Sequence, residues 1–401
     1  MGHGHSHSHR AGADDGVEIN RGARLSLLGL LAAVGVATLV GLALLWPDGG
    51  AADDLQGSVG FAAEGVTFPE AVVDEVEPVC ASAEVSPEEE QCGRIMATVD
   101  DGPDKGTEVA VEVPPQVTAS GLGEGDRLEL VRQPQEGGEA SYSYFGTKRT
   151  GALWLLGIVF VVVVVAIARL RGVMALLGLG FASLVMFFFA LPALLTGESA
   201  IPVALVAATA IMYVVLYTTH GFSVRTSTAL AGTLAGLGIT ALAGWWAVRS
   251  THLSGIAGEE GGFLTTFTPS ISFPDLLTAA VIIAGLGVLN DVTITQSSAV
   301  WELRGASPTM SRTQIFTSGM RIGRDHIAST IYTIVFAYAG TALTLLLVLQ
   351  LYDRPLVDLL GTEEIATEVV RSLVSSIGLV LAVPLTTAIA ALTVPPARQE
   401  A

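Results

Sequence analysis

The run DLLTAAVIIAGLGVLNDVTITQSSAVWELR, Asp275–Arg304, decides how the whole chain must be read. Its first half is apolar on nearly every side, which suits a helix in lipid better than the one-sided stripe of a soluble helix. Asn290, Asp291, Thr293, Thr295, Gln296, Ser297 and Ser298 then follow with no Gly- or Pro-rich break. At about 100° per residue, all of these except Gln296 fall within an arc of about 200°. A polar side that broad on a spanning helix faces protein or water. Ser272-Phe273-Pro274-Asp275 starts the helix with a capping residue and an early proline. Asp291 then lies about 24 Å along it, in the far third of a hydrocarbon layer about 30 Å thick.

Composition extends this reading to the rest of the chain. Of 401 residues 51% are hydrophobic and 14% charged, against about a quarter charged in soluble domains. Eight segments are long and apolar enough, or nearly so, to cross a bilayer: Leu25–Trp46, Gly151–Ala168, Val173–Leu195, Ile201–Thr219, Thr226–Val248, Asp275–Gln296, Ile327–Leu351 and Glu368–Val394. The first has the basic flank of a signal peptide. Its apolar run is too long and lacks a clear cleavage site, so an uncleaved anchor is expected.

Arginines set the expected orientation. Arg21, Arg24, Arg169, Arg171, Arg225, Arg304, Arg312, Arg321 and Arg324 share one side if both termini are cytoplasmic, whereas Lys148 and Arg149 oppose the trend. The net charge is −18, yet 22 of the 38 acids lie in the single segment Asp48–Thr150. Such acidity excludes nucleic acid as a partner, since phosphates would be repelled. The acids are expected to form a solvated face.

That acidic segment has a different grammar. Glu70–Glu77, Arg94–Val99, Thr107–Val113, Arg127–Arg132 and Ser141–Phe145 read as short alternating strands between turns at Asp101–Asp104 and Gly121–Asp126. Five such strands predict a small antiparallel sandwich or barrel, the OB type being one form. Cys80 and Cys92 fall in this segment, on the oxidising side, where a structural disulfide is plausible. The expected fold is therefore an all-α polytopic bundle of about eight transmembrane helices with an inserted all-β extracytoplasmic domain. Its parts are a His-rich tail (residues 1–24), an anchor (25–47), the β-domain (48–149), a seven-helix membrane domain (150–396) and a cytoplasmic tail (397–401).

Other features bear on function. His3, His5, His7 and His9 alternate with Gly and Ser, a flexible tract able to take up Zn, Ni or Cu opportunistically. No built metal or cofactor site is expected. Arg321, Arg324, Asp325 and His326 enter the next helix at a depth matching Asp291. A guanidinium there would offset the cost of a carboxylate in the bilayer, so an Asp291–Arg324 or Asp291–Arg321 pair is expected, with His326 nearby. The candidate polar site is thus Asn290, Asp291, Thr295, Arg321, Arg324, Asp325 and His326. Ser298–Gly319 mixes Val300, Trp301, Leu303, Met310, Ile315 and Phe316 with polar residues, as would a helix lying on the inner surface. Gly232 and Gly236 form a small-residue contact motif, and Pro384 interrupts the last span.

GVLNDVTITQSSAVWELR (287–304), MRIGRDHIASTIYTIVFAYAG (320–340) and IGLVLAVPLTTAIAAL (377–392) resemble the YibE/F-like family of bacterial multipass membrane proteins. The likeness spans roughly Thr150–Val394. It implies a permease-like plasma-membrane protein and carries no substrate or residue role with it. Two functions are consistent with these observations. One is a gradient-driven permease or exporter of a small solute or ion. The other is an envelope protein whose bundle displays the β-domain to a protein partner. No P-loop, zinc-ligand spacing or nucleophile elbow argues for an enzyme.

Overall fold

A computed structural model describes residues 21–50, 63, 65–76, 93–135, 139–268, 270–351 and 355–397. The histidine tract, Cys80 and Cys92 lie outside the described residues. The chain forms two compact units: Leu55–Ile167, and Met1–Asp54 together with Ala168–Ala401.

The first described element, α1 (Arg21–Leu44), belongs to the larger unit. The smaller unit follows with β1 (Glu70–Val76), β2 (Arg94–Val99), β3 (Glu108–Glu112), α2 (Pro115–Ala119), β4 (Arg127–Gln133) and β5 (Ser141–Thr147). All five predicted strands are present, and the sequence reading missed only α2, whose first residue is the second of two prolines. Proline supplies the backbone angle of a first helical turn and needs no amide partner there. The sheet is antiparallel in the order β3-β2-β1-β4-β5. Its edge strands β3 and β5 approach each other, so the sheet forms a nearly closed barrel. Bulges in β1 at Val73/Glu75 and in β4 at Glu129/Leu130 supply local bends. Period-two alternation sends Ala71, Val73, Ile95, Ala97, Val111, Leu128 and Leu130 inward, where they are buried. Gly93 has φ +101° at the entry to β2, and a Cβ there would stand 2.3 Å from the Val113 carbonyl oxygen. Only glycine fits.

Asp104, in the turn between β2 and β3, ties that turn to the far strands. Its Oδ2 accepts hydrogen bonds from Arg132 Nε and the Tyr142 hydroxyl. The Arg132 bond, then the Tyr142 bond, hold the Asp104 carboxyl below its ordinary value, against an opposing effect of desolvation. A carboxyl depressed on folding stabilises the fold above its unfolded pKa, and that contribution is lost as pH falls through the folded value.

α3 (Thr150–Val185) begins in the smaller unit and ends in the larger, which continues with a π turn at Met186–Ala190 and α4 (Leu191–Leu195). Then come α5 (Ala200–His220), α6 (Val224–Ser250), α7 (Gly258–Phe267), α8 (Phe273–Ala306) and α9 (Arg312–Thr341). The described chain closes with α10 (Leu343–Leu351), α11 (Leu356–Leu359) and α12 (Glu363–Thr393). Among the described residues, six helical runs are long and apolar enough to cross a membrane, or seven if α9 and α10, bent by 64° at their junction, make one span. The sequence reading counted eight because it split the 46-residue run Thr150–Leu195 in two. At 1.5 Å per residue that run is about 69 Å long, roughly twice the hydrocarbon thickness. It breaks at Arg169, which has φ 52° and ψ −131°. Large apolar side chains that a soluble protein would bury stand outward, among them Ile167, Leu170, Leu242 and Phe336. Lipid is the solvent these faces fit.

The bundle is organised by α6, α8 and α12, which make the most extensive helix contacts. Small residues allow this. A Cβ on Gly232 would come within 2.0 Å of Thr386 Oγ1, one on Gly378 within 1.9 Å of Thr240 Oγ1, and one on Gly236 within 2.8 Å of Leu289 Cδ2. The threonine hydroxyls in these contacts donate back to carbonyls one turn earlier: Thr240 to Gly236, Thr386 to Ala382 and Thr387 to Val383. The polar atoms of these threonines are thereby satisfied within their own helices, and the centre is tightly packed. At one end of the bundle, Glu363 Oε1 accepts from Ser254 N, Ser254 Oγ and Gly255 N at 2.8, 3.0 and 3.1 Å, fastening α12 to the loop after α6.

The surface helix expected over Ser298–Gly319 does not form. α8 runs unbroken to Ala306, and α9 starts at Arg312 with a capping box of Ser311 and Gln314. Val300 and Ile315 are instead buried against Ala390, Ala391 and Val394 of the α12 end. An apolar surface that finds a protein partner has no reason to lie in the lipid interface.

Gly378→Ala is expected to lower the stability of the purified protein by about 1–3 kcal/mol, the usual range for overpacking. Adding Thr240→Ala should recover part of the loss, and Gly238→Ala, with nothing within 4 Å of its added carbon, should be neutral; thermal melts in detergent read all three. In the barrel, calorimetry on the full-length chain should show a transition that weakens as pH falls below the usual aspartate range. Asp104→Asn should flatten that dependence.

Candidate functional site

The polar arc of α8 resolves into two stripes with separate partners. Thr293, Gln296, Ser297, Val300 and Arg304 form the buried one, at helix-face spacings of three, four, seven and eleven residues. Thr293 Oγ1 lies 2.6 Å from Thr233 Oγ1 of α6, and Ser297 Oγ donates to the Arg225 carbonyl at 2.8 Å. Arg304 Nη1 donates to the carbonyls of Pro308 and Met310, shaping the turn into α9.

Gln296 is the centre of this stripe. It is 1% exposed, and its Nε2 donates to the Gly319 carbonyl at 2.8 Å and to Thr387 Oγ1 at 2.7 Å. One amide thus joins α8 to both α9 and α12. Gly319 and Gly323 make room for it: a Cβ on Gly323 would come within 2.6 Å of Val383 and 3.1 Å of Gln296 Oε1. The wheel had set Gln296 apart from the polar arc. The overlooked signal was the pairing of that lone amide with the Gly319-x-x-x-Gly323 spacing on the next helix.

The second stripe is Asp291, Thr295, Ser298 and Glu302, at the same spacings. Thr295, Ser298 and Glu302 line a cleft of about 980 Å³. Its other walls are Arg171 of α3, Thr219 and His220 of α5, Ser223–Thr226 at the start of α6, and His326 of α9. Ser223 caps α6 by accepting from Thr226 N at 3.1 Å, and Arg225 pairs with Glu302 at 3.0 Å. Asp291 is exposed and lies one turn deeper on the cleft-lining stripe. The cleft is open at the surface of the bundle and large enough for several waters or a small solute, whereas the centre is closed by the glycine–threonine contacts.

Of the candidate residues from the sequence, the cleft brings together Thr295 and His326, and Asp291 adjoins it. Asn290 is half-buried, with its Oδ1 lacking a protein partner among the described residues. Arg321, Arg324 and Asp325 are exposed on α9. The expected Asp291–Arg324 and Asp291–Arg321 pairs are not formed: among the described residues neither Asp291 nor either arginine takes part in an ion pair. Equal depth on two helices does not fix which way each side chain turns. Arg171, Arg225 and His220, which the sequence reading did not connect to the polar stretch, reach the cleft because the break at Arg169 and the short α5–α6 turn place them at this end. Among the described residues, no cluster of three His, Cys, Asp or Glu could hold a metal.

A family model described as YibE/F-like protein matches residues 156–396, more than half of the chain. The chain belongs to the YibE/F-like family. The matched span contains every residue of the cleft and of the α6–α8–α12 contact. No curated protein and no solved structure matches the chain.

Gln296→Leu tests how much the buried amide holds the bundle together. Hydrogen bonds between membrane helices average about 0.6 kcal/mol and reach about 1.7, and the substitution also removes an unpartnered acceptor, Oε1. A loss of about 1 kcal/mol in unfolding free energy is expected, smaller than that for Gly378→Ala.

Proposed function

We propose that this multipass membrane protein is a gradient-driven permease or exporter of a small solute, and that the cleft is its cytoplasmic vestibule. One observation carries the reading: an open polar cleft built from several apolar helices stops against a tightly packed centre. A passage open at one end and sealed beyond is what alternating access requires of a resting state. In this reading Asp291, exposed one turn deeper than the cleft-lining residues, carries the coupling proton or cation. Ionisable groups within spans are disfavoured unless hydrated or paired, and they mark ion pathways. The excess of arginine at this end supports a cytoplasmic placement of it and of both termini, with the barrel outside. With no ATP-binding motif in the sequence, the drive would come from a gradient or from a separate ATPase, and the gradient is the reading adopted.

The barrel's strand order, together with α2 between β3 and β4, supports an OB-like reading of the smaller unit. Its self-contained core is compatible with display to an envelope partner, the competing function.

Proteoliposomes holding the full-length protein and a trapped pH dye can test the reading against a panel of small solutes. Asp291→Asn is expected to abolish solute-dependent proton flux while leaving folding and insertion intact. If Asp291→Asn is silent and deletion of residues 48–148 abolishes the cellular phenotype, the display function replaces this one.

A further inference from the structure

Five ionisable side chains line the cleft: Arg171, His220, Arg225, Glu302 and His326. The one acid among them is already paired with Arg225 at 3.0 Å. Arg171 takes part in no ion pair among the described residues. The Arg171 guanidinium and the His220 and His326 imidazoles, from three separate helices, therefore converge on one cavity whose only lining carboxylate is already paired, Asp291 lying one turn deeper and outside the lining. The first turn of α6 contributes to the same wall, and its backbone amides carry the positive end of that helix. Hydroxyls of Thr295 and Ser298 supply neutral hydrogen-bonding groups between the charges. A wall of this make-up favours an anionic over a cationic solute, while the coupling ion is left to Asp291 one turn deeper. It matches a compact group with several acceptor oxygens and negative charge, which a guanidinium, an imidazole and hydroxyls can all donate to.

We infer that the cleft binds a small oxyanion, of phosphate, sulfate or carboxylate type, between Arg171, His220 and His326. Resting on the permease reading, this gives the solute its chemical class. The same chemistry is carried by an anionic lipid headgroup reaching in from the membrane surface.

Equilibrium binding without any gradient separates the two ideas, because it does not depend on transport. The full-length protein in nanodiscs of zwitterionic lipid is titrated by calorimetry with inorganic phosphate, sulfate and acetate. Saturable binding of at least one is expected, weakened roughly tenfold or more by Arg171→Gln and by His326→Gln, in line with loss of a charge-assisted bond. A parallel arm uses nanodiscs containing phosphatidylglycerol and native mass spectrometry. Retention of that lipid by the wild type but not by the two variants supports the oxyanion site with the headgroup as its source. Should the variants fail to fold, Ser298→Cys in the otherwise unaltered cleft reads occupancy: bound anion slows its alkylation. Absence of binding in every arm, or binding that the substitutions leave unchanged, overturns the inference. Anion binding with no flux in proteoliposomes sinks the permease reading alone.

Discussion

Close approach of α6, α8 and α12 is the constraint on which the membrane unit depends. Lipid offers no hydrophobic drive to press helices together, so contact must come from shape and from polar groups with nowhere else to go. Glycines at 232, 236 and 378 bring backbones near enough for Thr386, Leu289, Ala382 and Thr240 to fill the space completely. Threonine suits these positions because its hydroxyl can return to its own helix, leaving a methyl group for packing. The result is a centre in which most threonine oxygens are satisfied by their own helices.

The same rule decides where water does enter. α8 is about 51 Å long at 1.5 Å per residue, well beyond a hydrocarbon layer of about 30 Å. Its polar C-terminal half therefore serves two masters. One stripe is spent on neighbours through Thr293, Gln296 and Ser297. The other, from Asp291 to Glu302, is left to solvent and to the basic groups across the cleft. Membership of the YibE/F-like family covers this architecture and leaves the chemistry of the cleft to be read from the residues themselves.

Much of this was visible in the amino-acid string. Strand positions in the barrel followed from period-two alternation and from Gly, Pro and Asp at the turns, since each is a local effect. The spans followed from length and hydropathy. Less visible were features set by azimuth and by distant partners. Depth along a helix suggested that Asp291 would meet Arg324, but the side chains turn to different surroundings. Gln296 looked like an outlier because a wheel drawn from one helix cannot show Gly319 and Thr387 arriving from two others. The apolar residues after Ser298 resembled an interfacial helix until α12 supplied a surface for Val300 and Ile315. The 46-residue run Thr150–Leu195 reads as two stretches and forms one helical run broken at Arg169, a backbone irregularity with no simple residue signature.

Glu363 adds a mechanical asymmetry. With three donors from the loop after α6 gathered on one carboxylate oxygen, the first turn of α12 and the last turn of α6 are riveted together. Towards their opposite ends the same two helices meet through the Gly232–Thr386 packing and the Thr228–Thr393 hydroxyl contact at 3.2 Å. The seam between α6 and α12 is thus clasped by a carboxylate at one end and by interlocking small residues and hydroxyls towards the other.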